Sequence, residues 1–121
     1  MAKTRVVLYL NQFFAGIGGE DKADVGFGVS ETPIGPGNLY KKCLHDVYGD
    51  DAELVATIYC GDNYFSKDTE ASTAEAIKLI EPYKPDLFFA GPGFAAGRYC
   101  EACGAMCKAV KEAFNIPVVS A

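Results

Sequence analysis

The stretch DLFFAGPGFAAGRYCEACGAMCKAVKEAF, residues 86–114, decides the fold. It opens on a short apolar run, Leu87-Phe88-Phe89-Ala90, and turns through a glycine-rich corner. It continues in a helical pattern with Tyr99, Cys103, Met106, Val110 and Phe114 along one side. The same strand–corner–helix order recurs outward from it. Residues 5–10, 53–59, 86–90 and 116–120 read as four strands, nearly continuously apolar in the first and third, as in sheets covered on both faces. One helix is expected from about Gly37 to Tyr48, with Leu39, Cys43, Leu44 and Val47 inward and Gly49 as its stop. A second runs from about Asp68 to Glu81, capped by Asp68 or Ser66, facing inward through Ala74, Ile77 and Ile80, and ended by Pro82. The third runs from about Gly97 to Phe114. This alternation predicts a three-layer α/β/α fold on a parallel, flavodoxin-like or Rossmann-like four-stranded sheet. Residues 12–36 hold six glycines and two prolines without periodicity, and so read as a long functional or mobile loop.

Composition bounds the rest. With 121 residues, half of them hydrophobic, residues 1–121 are expected to form a single α/β domain with a real core. No apolar run approaches the roughly 18 residues of a membrane-spanning helix, so no membrane partner is expected. The run Val6–Leu10 is shorter than the about 7–15 apolar residues of a secretory core, which predicts a cytoplasmic protein. The formal charge is −5, and the basic residues are scattered apart from Lys41-Lys42. Nucleic acid is therefore not an expected partner. Five cysteines, an odd number, argue against a disulfide framework.

Ligands of open parallel sheets bind beyond the carboxyl ends of the strands. Three corners qualify. The first carries Asn11, Phe13, Phe14, Gly18, Gly19 and Glu20; the second Cys60, Asp62, Asn63, Tyr64 and Phe65; the third Gly91, Gly93, Phe94, Gly97 and Arg98. The third has the chemistry of an anion site: glycines allow close backbone approach, a helix start offers free N–H groups, and Arg98 supplies a carboxylate- or phosphate-binding fork. It matches neither the Walker nor the dinucleotide glycine spacing, and a plain strand-to-helix turn with a surface arginine reads equally well. Aromatic rings beside Glu20, Asp62 and Asp68 would suit an ammonium ligand; the same rings also serve as core rim.

Cys100, Cys103 and Cys107 share a narrow arc of the third helix. They read as packing residues, as possible redox thiols, or as a metal cluster. The spacing matches no usual zinc or ferredoxin pattern, and no metal site is expected. His45, the only histidine, lies mid-helix and reads as a surface residue.

The segments NQFFAGIGGE, PIGPG, ATIYCGDNYF, PDLFFAGPGFAAGRY and ACGAMCKAVKEAFNIPVV together resemble, in order and over the whole chain, the selenoprotein B subunit of the glycine, sarcosine and betaine reductases. The resemblance is to the N-terminal part of that longer subunit, whose selenocysteine lies beyond residue 121; no catalytic residue is then expected here. It implies reductive deamination of a glycine-type substrate in anaerobic amino-acid fermentation, leading to acetyl phosphate. It implies as partners the rest of the B subunit, pyruvoyl-bearing subunits of component B and selenoprotein A, with a small amino-acid-type substrate. Selenocysteine and a pyruvoyl group belong to the complete complex, and no cofactor is expected on this chain. On this reading Asn11, Gly18, Gly19, Glu20, Asp62, Asn63, Tyr64, Gly93 and Arg98 are the substrate-binding candidates.

Two other classes compete: a flavodoxin-like module holding a phosphate-bearing cofactor, and a thiol or iron–sulfur electron carrier built on Cys100, Cys103 and Cys107. The last strand is expected at a sheet edge, where copies of the chain could pair into a homo-oligomer.

Overall fold

The structure, a computed structural model, describes residues 4–91 and 97–120. Nine elements follow in order: β1 (Thr4–Asn11), β2 (Gly28–Ser30), α1 (Gly37–Tyr48), β3 (Ala52–Cys60), α2 (Asp62–Lys67), α3 (Thr69–Ile80), β4 (Leu87–Ala90), α4 (Gly97–Phe114) and β5 (Val118–Ser120). Short 3-10 turns at Glu20–Lys22, Gly49–Asp51 and Glu81–Tyr83 link them.

The strands form one sheet in the order β2-β3-β1-β4-β5. β1 pairs in parallel with β3 and β4, and β4 with β5. β2 pairs antiparallel with β3. The expected four-stranded, wholly parallel sheet is thus corrected to a five-stranded mixed sheet. The added strand comes from the segment read as a loop, and its three residues are too few to show a period. Gly28 makes the pairing possible: a Cβ there would stand 2.4 Å from the Tyr59 ring.

Each face of the sheet carries its own core. The β1–β3 register shifts between Val6 and Val7, where Val55 is the extra residue of β3, so that Val6 pairs with Leu54 on one face and Val7 with Ala56 on the other. Val7, Tyr9, Ala56, Ile58, Phe88 and Ala90 then pack under α2, α3 and α4, which contribute Phe65, Ala76, Ile80, Tyr99, Ala102, Cys103, Met106 and Val110. Val6, Leu8, Leu10 and Leu54 face the other way, toward α1 and its Tyr40 and Leu44.

The helices begin and end for local reasons. Asp68 Oδ1 accepts from the Ala71 N–H at 3.1 Å and caps α3. Gly49, at φ 62, closes α1 by donating to the His45 carbonyl. The inward faces differ in part from expectation. In α3 the buried residues are Ser72, Ala76 and Ile80, while Ala74 is exposed. In α1, Leu39 is 60% and Val47 71% exposed, because among the described residues one helix covers that side of the sheet.

Candidate functional site

Asn11 closes β1 and Cys60 closes β3, directly opposite it in register. One residue beyond Gly61, Asp62 starts α2, so the corner after β3 is a helix rather than the expected loop. Asn11 Nδ2 donates to Asp62 Oδ2 at 3.0 Å, while Asn11 Oδ1 accepts from the Phe14 N–H at 2.9 Å. Gln12 is 2% exposed. Its Oε1 accepts from the Asp62 N–H at 3.0 Å, and its Nε2 donates to the Gly19 carbonyl at 3.3 Å. The two amides after the apolar run therefore tie the first and second corners together and fix the turn of the first.

The rest of the α2 start is closed by the chain itself. The Ala23 carbonyl accepts from the N–H groups of Asn63 and Tyr64, and the Val25 carbonyl from that of Gly61. The close approach depends on Gly61, where a Cβ would stand 2.2 Å from the Ala23 oxygen. These N–H groups are spent on protein carbonyls and offer no phosphate cradle.

What stays open is side-chain chemistry. Asp62 is 7% exposed, and its Oδ1 has no hydrogen-bond partner among the described residues. The Tyr9 hydroxyl is buried and equally unpartnered there, and that of Tyr99 is buried beside the Cys103 thiol. Such groups are uncommon in native interiors, since each unmade bond costs about 1–3 kcal/mol. Burial raises the Asp62 carboxyl above its ordinary range; the Asn11 bond and Arg98 oppose this, and Glu20 adds to it. Burial, aided by Cys60, Cys103, Asp62 and Tyr99, lifts the Tyr9 hydroxyl well above its usual value. Tyr99 is raised by burial and then by Cys103.

The rings around these groups touch in series. Phe14 stands 5.5 Å from Tyr99, Tyr99 6.3 Å from Tyr9, and Tyr9 5.9 Å from Phe65, between centroids. At the rim, Arg98 of the first turn of α4 pairs with Glu20 on the β1–β2 excursion.

The candidates thus divide. Asn11 and Asp62 meet; Glu20 and Arg98 meet; and the charges of the second pair act on Asp62. Gly19 joins through its carbonyl. Gly18, at φ 159, shapes the same turn. Asn63 is held by its backbone. Tyr64 turns away, its hydroxyl donating to Glu75 of α3 at 2.9 Å. Gly93 lies outside the described residues. Tyr9, Gln12 and Tyr99 are not among the residues that sequence reasoning selects for the site, although the polar pair Asn11-Gln12 at the end of an apolar strand is a usable signal.

The cysteines do not assemble. Cys100 is exposed and Cys103 buried, and the Cys107 thiol donates to the Val119 carbonyl at 3.6 Å. Burial pushes both Cys60 and Cys103 up to about 12. Among the described residues no group of three or more His, Cys, Asp or Glu side chains is placed to hold a metal ion. None of the described helices is long and apolar enough to cross a membrane.

The fold and this corner define a class: an open, largely parallel α/β unit with unpartnered polar groups at the carboxyl ends of its central strands, where such sheets take ligands. Within that class, the chain belongs to the glycine/sarcosine/betaine reductase selenoprotein B family, whose model matches residues 3–121. It is 49% identical over 121 residues to the glycine reductase complex component B subunit gamma of Peptoclostridium litorale, covering 99% of this chain and 27% of that protein. It is 45% identical over 120 residues to the sarcosine reductase complex component B subunit beta of Peptoclostridium acidaminophilum, covering 99% and 27%. It is 40% identical over 116 residues to the betaine reductase complex component B subunit beta of the same organism, covering 96% and 25%. The chain therefore spans about a quarter of the length of these curated relatives. No solved structure matches it.

Proposed function

We propose that this chain is the N-terminal, substrate-facing α/β unit of a selenoprotein B subunit. The whole subunit would serve an oxidoreductase complex that reductively deaminates glycine, sarcosine or betaine and leads to acetyl phosphate. The observation that carries this reading is the buried Asp62 Oδ1, unpartnered among the described residues, with Tyr9, Tyr99 and Arg98 close enough for their charges to act with its own.

A small amino acid carries a carboxylate and a cationic nitrogen. The Arg98 guanidinium matches the carboxylate. Asp62, two phenolic oxygens and the faces of Phe14, Tyr9 and Tyr99 match the cation. Glu20 now holds the arginine fork, and a substrate carboxylate would take its place. Asn11 positions Asp62 by fixing Oδ2, which leaves Oδ1 for the ligand. Burial keeps water from Asp62 and strengthens its contacts, whereas Arg98, its side chain 37% exposed, stands at the open rim.

In the assembled complex, a selenocysteine later in the subunit and a pyruvoyl group on a partner subunit supply the nucleophile and the carbonyl. This donor set of carboxylate, phenol and guanidinium fits the substrate presented to those groups. Selenoprotein A, the pyruvoyl-bearing subunits and a cytoplasmic setting belong to the same proposal.

The test is steady-state kinetics of the reconstituted complex carrying Asp62→Asn or Arg98→Ala in the full-length subunit. At least a tenfold rise in KM for the amino-acid substrate is expected from each, as loss of a charge-assisted contact worth about 1.5–3 kcal/mol. Unchanged KM in both variants would remove this corner from the substrate site.

The competing classes gain no support. The N–H groups at the α2 start are spent on protein carbonyls, the glycine corner expected to cradle an anion lies at 92–96 outside the described residues, and the three α4 thiols lie in different surroundings.

A further inference from the structure

The two faces of the sheet are unequally covered. On one, α2, α3 and α4 bury Val7, Tyr9, Phe88 and Ala90 completely. On the other, α1 is the one helix among the described residues. Beside it runs an apolar groove of about 240 Å³, whose floor and walls include Val6, Leu8, Leu87, Phe89, Tyr40 and Leu44. The Tyr40 and Phe89 rings meet at 4.7 Å at one end. Val118 of β5 packs on the α4 side, so strand alternation turns Val119 to the groove side, where it is 43% exposed. Val47 and Tyr48 of α1 are 71% and 58% exposed on the opposite bank. Parallel strands are ordinarily covered on both faces. Apolar surface of this kind marks an unfilled contact.

Handedness says where the missing cover comes from. Right-handed crossovers place α1 on one face as the chain steps from β1 to β3. They place α3 and α4 on the other as it steps back across to β4 and on to β5. A connection moving outward within residues 1–121 therefore cannot lay a helix over β4 and β5 on the α1 side. Within one subunit, only polypeptide returning across the sheet can. The relatives this chain matches are nearly four times its length, since it covers 27% of them.

We propose that this groove seats an amphipathic helix from the part of the same subunit that follows residue 121. The inference rests on the reading of the chain as one portion of a longer subunit. The seated helix would complete the second core and fix the later part of the subunit against the sheet that carries the Asp62 corner.

Site-specific photocrosslinking in the full-length subunit tests it. Val47→p-benzoylphenylalanine places the probe on an exposed position of α1 at the groove, where the fold tolerates it. Irradiation is expected to give an intramolecular cross-link, at monomer mass, whose second peptide maps beyond residue 121. A cross-link between two copies, one to a different subunit, or no cross-link at all would each overturn the proposal. As a second measurement, Val47→Asp should lower the unfolding temperature of the full-length subunit by several degrees with substrate KM unchanged. An unaltered unfolding temperature would count against a seated helix. KM effects at Asp62 and Arg98 stand or fall separately, so failure here is distinguishable from failure of the substrate-site reading.

Discussion

Asn11 Nδ2 donates to Asp62 Oδ2 at 3.0 Å, across 51 positions of sequence, and joins the last residue of β1 to the first of α2. The bond holds one carboxylate oxygen and leaves the other buried without a partner among the described residues. Burial dominates the balance, and the Asp62 carboxyl is raised above its ordinary range. Between the unfolded and the folded pKa the native state binds more protons than the unfolded one, so this group's contribution falls as pH rises through that window. Asp62→Asn removes the term. The variant is expected to gain stability over wild type at neutral pH; the gain is expected to shrink as pH falls through the raised folded pKa toward the ordinary carboxylate range, and to be absent below that range. Thermal unfolding of both proteins from pH 3 to pH 8 measures it; a gain independent of pH would contradict the assignment.

Tyr9→Phe separates stability from function. Tyr9 is fully buried and its hydroxyl has no partner among the described residues. Removing that oxygen while keeping the ring is expected to stabilise the fold by about 1 kcal/mol. The same change is expected to weaken substrate binding in the complex. Denaturant unfolding paired with KM checks both, and a destabilised variant would show that the hydroxyl is satisfied in the native state.

The Glu20–Arg98 pair gives opposite expectations for its two ends. With the Glu20 side chain 75% exposed, the pair adds little to stability, within the about 0–1 kcal/mol of surface bridges. Glu20→Gln frees the guanidinium and is expected to lower KM. Arg98→Ala is expected to raise it. If the two variants move KM in the same direction, Glu20 is not a stand-in for the substrate carboxylate.

Thiol labelling should sort the five cysteines by environment. Cys43 and Cys100 are exposed, whereas Cys60 and Cys103 are fully buried and pushed up to about 12. The thiolate is the reactive form. Cys60 and Cys103 are therefore expected to resist iodoacetamide at pH 8 until denaturant is added. Rapid native labelling of Cys103 would revive a redox reading of α4.

Gly61→Ala probes the clasp between the β1–β2 excursion and α2. Its Cβ would stand 2.2 Å from the Ala23 carbonyl oxygen, a backbone atom that cannot swing away. A loss of about 1–3 kcal/mol is expected, as for other overpacked sites, with faster amide exchange at Asn63 and Tyr64. Wild-type exchange in the variant would mean that the clasp is dispensable.

The sequence by itself determined the alternation of elements. Apolar runs at Val6–Leu10 and Leu87–Ala90, the Asp68 cap, the stop at Gly49 and the long periodic face of α4 are local signals, and local periodicity marks them. The family was equally legible, because ordered motifs such as GIGGE and CGDNYF span the chain. Tertiary structure decided what local pattern cannot carry. β2 became a strand because Gly28 fits the Tyr59 ring, a contact 31 residues away. Leu39 and Val47 stayed exposed because, among the described residues, a single helix covers that face. Asn11, Asp62, Tyr9 and Tyr99 became one corner only once strand order and the register shift at Val6/Val7 set their places. The physical reason is that a period is written in neighbouring residues, whereas a buried polar contact depends on which distant backbone the sheet brings alongside.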